Sequence, residues 1–184
     1  MPGQIIFLHG PSSSGKTTTA QAIRAQVDVP FWHISIDHLR DSGVLPTERI
    51  NRKEFAWSEM RGPFFAGFHA SLAAYAAAGN NLIVEHILDT PGWIAELKEV
   101  LAPFDVLFVG LHCDLAALQA REQARGDRPI GSAEQDFRTV HVGRVYDIEV
   151  NSQANPDENA RAILRCWRSG VRTSEFATAK TVVD

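Results

Sequence analysis

Apolar runs of strand length alternate along this chain with longer stretches of helical spacing, the mark of repeated βα units around a mostly parallel sheet. Runs rich in Ile, Val, Leu and Phe predict strands at 4–9, 31–37, 82–87, 105–112 and 146–151. Such strands need not alternate apolar with polar residues, because a parallel sheet is covered on both faces. Helices are predicted from Gly15 onward, and over much of 52–78, 91–101, 115–124, 133–142 and 156–168. Alanine dominates 69–78 before Gly79, which suits a helix packed closely on the sheet and stopped by a glycine cap. The segment 40–53 has weak periodicity and contains Gly43 and Pro46, so it reads as a loop or mobile flap beyond the second strand. The expected architecture is α/β in three layers, a five-stranded parallel sheet flanked by helices.

At 184 residues the chain is the length of one α/β domain, expected over 1–172, with a flexible tail at 173–184 where periodicity fades. No apolar run is long enough to span a bilayer and no cationic leader precedes the first strand, so no membrane partner and a cytoplasmic location are expected. A formal charge of -4 argues against nucleic acid held by a diffuse basic surface. Cys113 and Cys166 form no Cys-x-x-Cys pair and are expected to be buried free thiols.

The sharpest local signal is Gly10-Pro11-Ser12-Ser13-Ser14-Gly15-Lys16-Thr17, a complete Gly-x-x-x-x-Gly-Lys-Thr loop between a predicted strand and a predicted helix. Chance would place the four fixed positions in roughly one per cent or fewer of chains this long, so accident is a poor explanation. Glycines let the backbone curl until successive N–H groups converge, and the helix dipole adds positive potential, so the loop makes a nest for a polyphosphate. ATP and Mg²⁺ are the expected cofactors, with Lys16 on the β- and γ-phosphates, Thr17 on the metal, and Thr18 beside them. A sheet with this loop is a P-loop kinase fold if an acceptor site accompanies it.

Candidates for that site follow. Asp37 ends the predicted second strand, and ligands gather at the carboxyl ends of parallel strands. A carboxylate there could take the proton of an acceptor hydroxyl, although an Asp after a strand also serves as a helix cap. Arg121, Arg125 and Arg128 flank Gly126 in a segment expected to form a lid near 121–133, where guanidinium groups could close on the transferring phosphate. A solvated, salt-bridged helix end is the plainer reading of such a charge run. Glu85, ending the third strand, is a candidate for holding a metal-bound water. His38, Glu85, His86 and Trp57 are candidate contacts for a small-molecule hydroxyl substrate. A lone histidine is more often a satisfied structural group.

Four segments in order resemble the chloramphenicol phosphotransferase-like family: the loop at 10–17, Ser35-Ile36-Asp37-His38-Leu39, Ala124-Arg125-Gly126-Asp127-Arg128, and Tyr146-Asp147-Ile148-Glu149-Val150. The resemblance spans nearly all of residues 4–168. It implies an ATP-dependent O-phosphotransferase with Asp37 as general base and Arg125 and Arg128 acting from the lid. In that family the named enzyme phosphorylates the primary hydroxyl of chloramphenicol. Here Glu85-His86 stands where the resemblance leads one to expect acidic Asp residues, and 40–62 shows no similarity, which leaves the acceptor open. By analogy, the connection at 151–156 is where nucleotide kinases of this plan hold adenine. A nucleotide, gluconate or shikimate-type metabolite kinase, and a P-loop regulatory ATPase without a small-molecule acceptor, are the competing readings.

Overall fold

A computed structural model describes residues 1–125 and 131–177. Five parallel strands, β1 (Ile5–His9), β2 (Phe31–Ser35), β3 (Asn81–His86), β4 (Val106–His112) and β5 (Ile148–Asn151), form one sheet. Their order is β2-β3-β1-β4-β5. Every residue of β1 is buried, as befits the central strand, whereas Trp32 on the edge strand β2 is half exposed. The helices are α1 (Lys16–Gln26), α2 (Ile36–Asp41), α3 (Thr47–Asn51), α4 (Trp57–Ala77), α5 (Trp93–Val100), α6 (Leu115–Arg125), α7 (Ser132–Thr139) and α8 (Pro156–Ser169).

Strand alternation divides the core in two. Ile6, Leu8, Ile83, Leu107 and Val109 face one way and pack with Ala20 and Ile23 of α1 and Ile163 and Leu164 of α8. Ile5, Phe7, Leu82, Val84 and Phe108 face the other way, onto Phe68, Leu72 and Ala76 of α4 and Leu97 of α5. Those α4 positions recur at helical spacing, which is why the alanine-rich helix can lie close to the sheet. The expected three layers are thus observed.

Three expectations need correction. The second strand stops at Ser35, whose hydroxyl accepts the His38 N–H at 3.1 Å and caps α2. Asp37 therefore sits in the first turn of a helix, and the expected flap at 40–53 holds the end of α2 and the whole of α3. The helix expected over much of 52–78 is α4, which begins at Trp57. Finally, residues 173–177 are packed: Phe176 lies 5.5 Å from the Phe7 ring and 5.0 Å from Phe108. The Asp147 carboxylate accepts the N–H groups of Thr173 (2.6 Å), Ser174 (2.9 Å) and Phe108 (2.7 Å), tying that segment to the sheet. Residues 178–184 of the expected tail lie outside the described residues. Cys113 is buried as expected, but Cys166 is only partly so; both are free. No helix among the described residues is long and apolar enough to cross a membrane.

Candidate active site

The loop between β1 and α1 turns through two left-handed residues, Ser13 (φ 62°) and Gly15 (φ 88°). Gly10 is required by contact: a Cβ there would stand 2.5 Å from the Leu111 carbonyl oxygen of β4. Buried Lys16 folds back over the loop and donates to the carbonyls of Gly10 (2.9 Å) and Pro11 (2.7 Å). Ser12, Ser13, Ser14, Gly15, Lys16, Thr17 and Thr18 all line a cavity of about 640 Å³. The Ser14 hydroxyl is buried with no hydrogen-bond partner among the described residues.

Glu85 and His86 are neighbours in sequence but belong to opposite faces of the sheet. Glu85 faces α1, where its Oε2 accepts the Thr17 hydroxyl at 3.1 Å and its Oε1 takes the Nε2–H of His33. His86 faces α4 and α5. Its Nδ1 accepts the Leu88 N–H (2.9 Å), its Nε2 meets the His69 Nε2 (3.1 Å), and the His69 Nδ1 reaches Glu96 (3.0 Å). Both His86 nitrogens are thus committed within the protein, and burial pushes its pKa well below the ordinary histidine value, with His69 adding to the effect. His86 lines the cavity, as a candidate contact should, with both ring nitrogens already engaged inside the protein.

The opposite wall comes from α2, α4 and the turn after β3. Asp37, Arg40, Trp57, Arg61, Phe65, Asp89 and Trp93 line it. Arg40 Nη1 stands 3.3 Å from Asp37 Oδ1, and Arg61 Nη2 stands 2.9 Å from Asp89 Oδ1. The Arg61 guanidinium also lies 4.5 Å from the Trp93 ring centroid and 5.0 Å from that of Phe65. His38 is exposed and is not among the cavity's lining residues, packing its ring edge-on to His33 at 4.5 Å. Sequence reasoning missed Arg40, Arg61, Asp89 and Trp93. The aromatic run around Trp57 and Phe65 was the one available signal, and it is equally a core pattern.

On the side of the expected lid, Arg121 lines the cavity and its Nη1 donates to the Ser13 carbonyl at 3.2 Å. Arg125 closes α6, its side chain outside the description, and Arg128 lies outside the described residues. Glu122, unforeseen from sequence, is buried and caps α7 from α6. It accepts from the Ser132 hydroxyl (2.6 Å) and the N–H groups of Gly131 (3.0 Å) and Ala133 (2.9 Å). Those bonds, the Ser132 hydroxyl first, hold its carboxyl below the usual range. From α7, Asp136 accepts the Ser12 N–H at 3.0 Å, joining that helix to the loop.

Beneath the loop, the Tyr146 hydroxyl lies 2.7 Å from both His9 Nδ1 and His141 Nδ1, while His9 Nε2 donates to the Ile87 carbonyl at 2.6 Å. Burial lowers His9 to about 3 and His141 to about 4, with His141 and His112 respectively adding to it. The Tyr146 hydroxyl thus joins His9, at the end of β1, to His141.

The fold and the cradle together define a P-loop small-molecule kinase. The chain belongs to the chloramphenicol phosphotransferase-like protein family, whose description matches residues 3–168. A Mycobacterium tuberculosis (strain ATCC 25618 / H37Rv) protein, provisionally named an O-phosphotransferase, is 28% identical over 91% of this chain and 83% of its own. Among solved structures, a gluconokinase from Sinorhizobium meliloti 1021 superposes with TM-score 0.64 and 22% identity over 91% of this chain and 93% of that one. The Mycobacterium tuberculosis APS kinase in complex with AMPPNP and APS gives 0.65 and 17% over 91% and 98%. These two likenesses establish the fold.

Proposed function

We propose that this protein transfers the γ-phosphate of ATP to a hydroxyl of a small, uncharged molecule with a flat apolar body. The carrying observation is that Asp37 and the loop residues from Ser12 to Thr17 line one cavity. The residues fit a metal–nucleotide complex. The partnerless Ser14 hydroxyl and the Lys16 ammonium supply donors for a polyphosphate at the start of α1. The Thr17 hydroxyl, its hydrogen given to Glu85, turns its lone pairs toward the cradle, and a bound Mg²⁺ would neutralise charge on the transferring group.

In the reaction the acceptor oxygen bonds to the γ-phosphorus, the bond to the β–γ bridging oxygen breaks, and ADP leaves. Asp37 orients the hydroxyl and takes its proton. Lys16 swings from the Gly10 and Pro11 carbonyls onto the phosphates, and Arg121 is placed to hold the cradle from the lid side, with Arg125 and Arg128 proposed to close over it. Ser152, Ala154 and Pro156 line the cavity from the segment after β5, which is the proposed adenine edge.

The acceptor wall carries as many carboxylates as guanidinium groups, and they are paired: Asp37 with Arg40, Asp89 with Arg61. A charged acceptor would have to break a pair or sit uncompensated beside it, whereas the rings of Trp57, Phe65 and Trp93 offer flat apolar surface. Chloramphenicol and other hydroxylated antibiotics therefore head the acceptor panel, ahead of sugar acids and nucleotides. The test is ATP-dependent mass gain of one phosphate across that panel with Mg²⁺. Steady ATP cleavage with no acceptor modified would favour a regulatory ATPase instead.

A further inference from the structure

We infer that His33 is a positioning residue for the metal-binding hydroxyl of Thr17, acting through Glu85. The inference rests on the proposal that the loop binds ATP with Mg²⁺. Its basis is a three-residue chain running from an edge strand to the last residue of the P-loop motif.

The register makes the chain possible. Ser35 pairs with Glu85 and His33 with Ile83 across β2 and β3. His33, Ser35, Ile83 and Glu85 therefore share the face that looks toward α1, and His33 is the diagonal neighbour of Glu85, within reach of a long side chain. The His33 side chain is only 4% exposed and that of Glu85 only 8%. A carboxylate this enclosed has few ways to satisfy its oxygens, and it uses one for each neighbour: Oε1 for the His33 Nε2–H, Oε2 for the Thr17 hydroxyl at 3.1 Å.

The consequence is directional. With Oε1 pinned by His33, rotation of the carboxylate about its last bond is blocked, and Oε2 stays turned to α1. The Thr17 hydrogen then points at Glu85, so its oxygen lone pairs point into the cradle, the orientation a metal ligand requires. Each carboxylate oxygen still has a lone pair to accept from a metal-bound water. Without the His33 N–H, the carboxylate can turn, the Thr17 hydroxyl can rotate, and the site loses its preset geometry while the loop amides that hold phosphate are untouched.

The experiment is calorimetric titration of Mg²⁺ into the protein saturated with a non-hydrolysable ATP analogue, with binding of the analogue in EDTA measured alongside. His33→Phe keeps a ring but no donor, and His33→Gln restores an N–H. Mg²⁺ affinity is expected to fall about 10- to 100-fold in His33→Phe and to recover most of that loss in His33→Gln. Analogue affinity in EDTA is expected to stay within about twofold. His33→Leu serves equally should the Phe variant not fold. Unchanged Mg²⁺ affinity in the donorless variant overturns the inference, as does an equal loss of metal-free analogue binding. A wild-type protein that binds no nucleotide would instead remove the proposed function beneath it.

Discussion

Asp37 and Arg40 stand one helical turn apart on α2, with Oδ1 and Nη1 separated by 3.3 Å. Both residues line the cavity that Ser12 to Thr17 of the loop also line. Asp37→Asn keeps the shape and removes the proposed proton acceptor. Nucleotide affinity should stay within about twofold while transfer falls by about 10²–10⁴-fold. Equilibrium titration and single-turnover transfer check the two halves, and an Asn variant with full transfer would remove Asp37 as the base.

Lys16 differs because its proposed role serves ground state and transition state alike. Its two bonds to the Gly10 and Pro11 carbonyls brace the loop's curl. Lys16→Ala should weaken nucleotide binding by about ten- to a hundredfold, the scale of one charge-assisted bond, and lower turnover as well. A kcat loss with unchanged affinity would contradict the assignment.

The cradle was legible because it is contiguous: eight successive residues carry it, and the flanking strand and helix formed where periodicity put them. The acceptor wall was not, because Arg61 arrives from α4 and Asp89 from the turn after β3, and only the tertiary fold brings them within 2.9 Å. Asp37 was found for a partly mistaken reason. The apolar run Phe31 to Ile36 looks like one strand, but the Ser35 hydroxyl ends it, and Ile36 packs beside the second core from the start of α2. Short helices such as α3 offer too few turns to show a period. The segment around Phe176 lacked pattern because one aromatic and the Asp147 bonds, rather than an amphipathic face, hold it.

Arg61 provides a test of acceptor selection. Its guanidinium is fixed by Asp89 at 2.9 Å and by the Thr90 hydroxyl at 2.8 Å, over the Trp93 and Phe65 rings. Arg61→Leu leaves the Asp89 carboxylate uncompensated at the cavity wall. The acceptor KM should rise about tenfold or more while the KM for ATP holds. Equal changes in both would mean that Arg61 supports the fold and not the acceptor.

Phe176 fills the space between Phe7 and Phe108 in the core face of the sheet and is 7% exposed. Phe176→Ala should cost about 3–5 kcal/mol in urea denaturation, and deletion of the chain from 173 onward at least as much. A loss below about 1 kcal/mol would show the segment to be loosely docked.

Acid should destabilise the fold through two overlapping sets of groups. His9 and His141 have pKa values lowered to about 3 and about 4, and His86 is lowered as well, all chiefly by burial. The unfolded chain protonates these histidines near 6.5 while the folded chain does not, so unfolding takes up protons below that pH. Stability is full above about 6.5 and falls as pH drops toward the folded values, by about 1.4 kcal/mol per pH unit for each histidine. Glu122 acts lower: its carboxyl is depressed in the folded state, so its contribution is present above the ordinary carboxylate value and lost beneath it. Chemical denaturation at pH 7.5, 6, 5 and 4 reads the slope, in about those steps. His141→Gln should flatten it by one proton between about 6.5 and 4. A wild-type stability that stays level across that interval would mean that these imidazoles ionise in place and are not held neutral by the core.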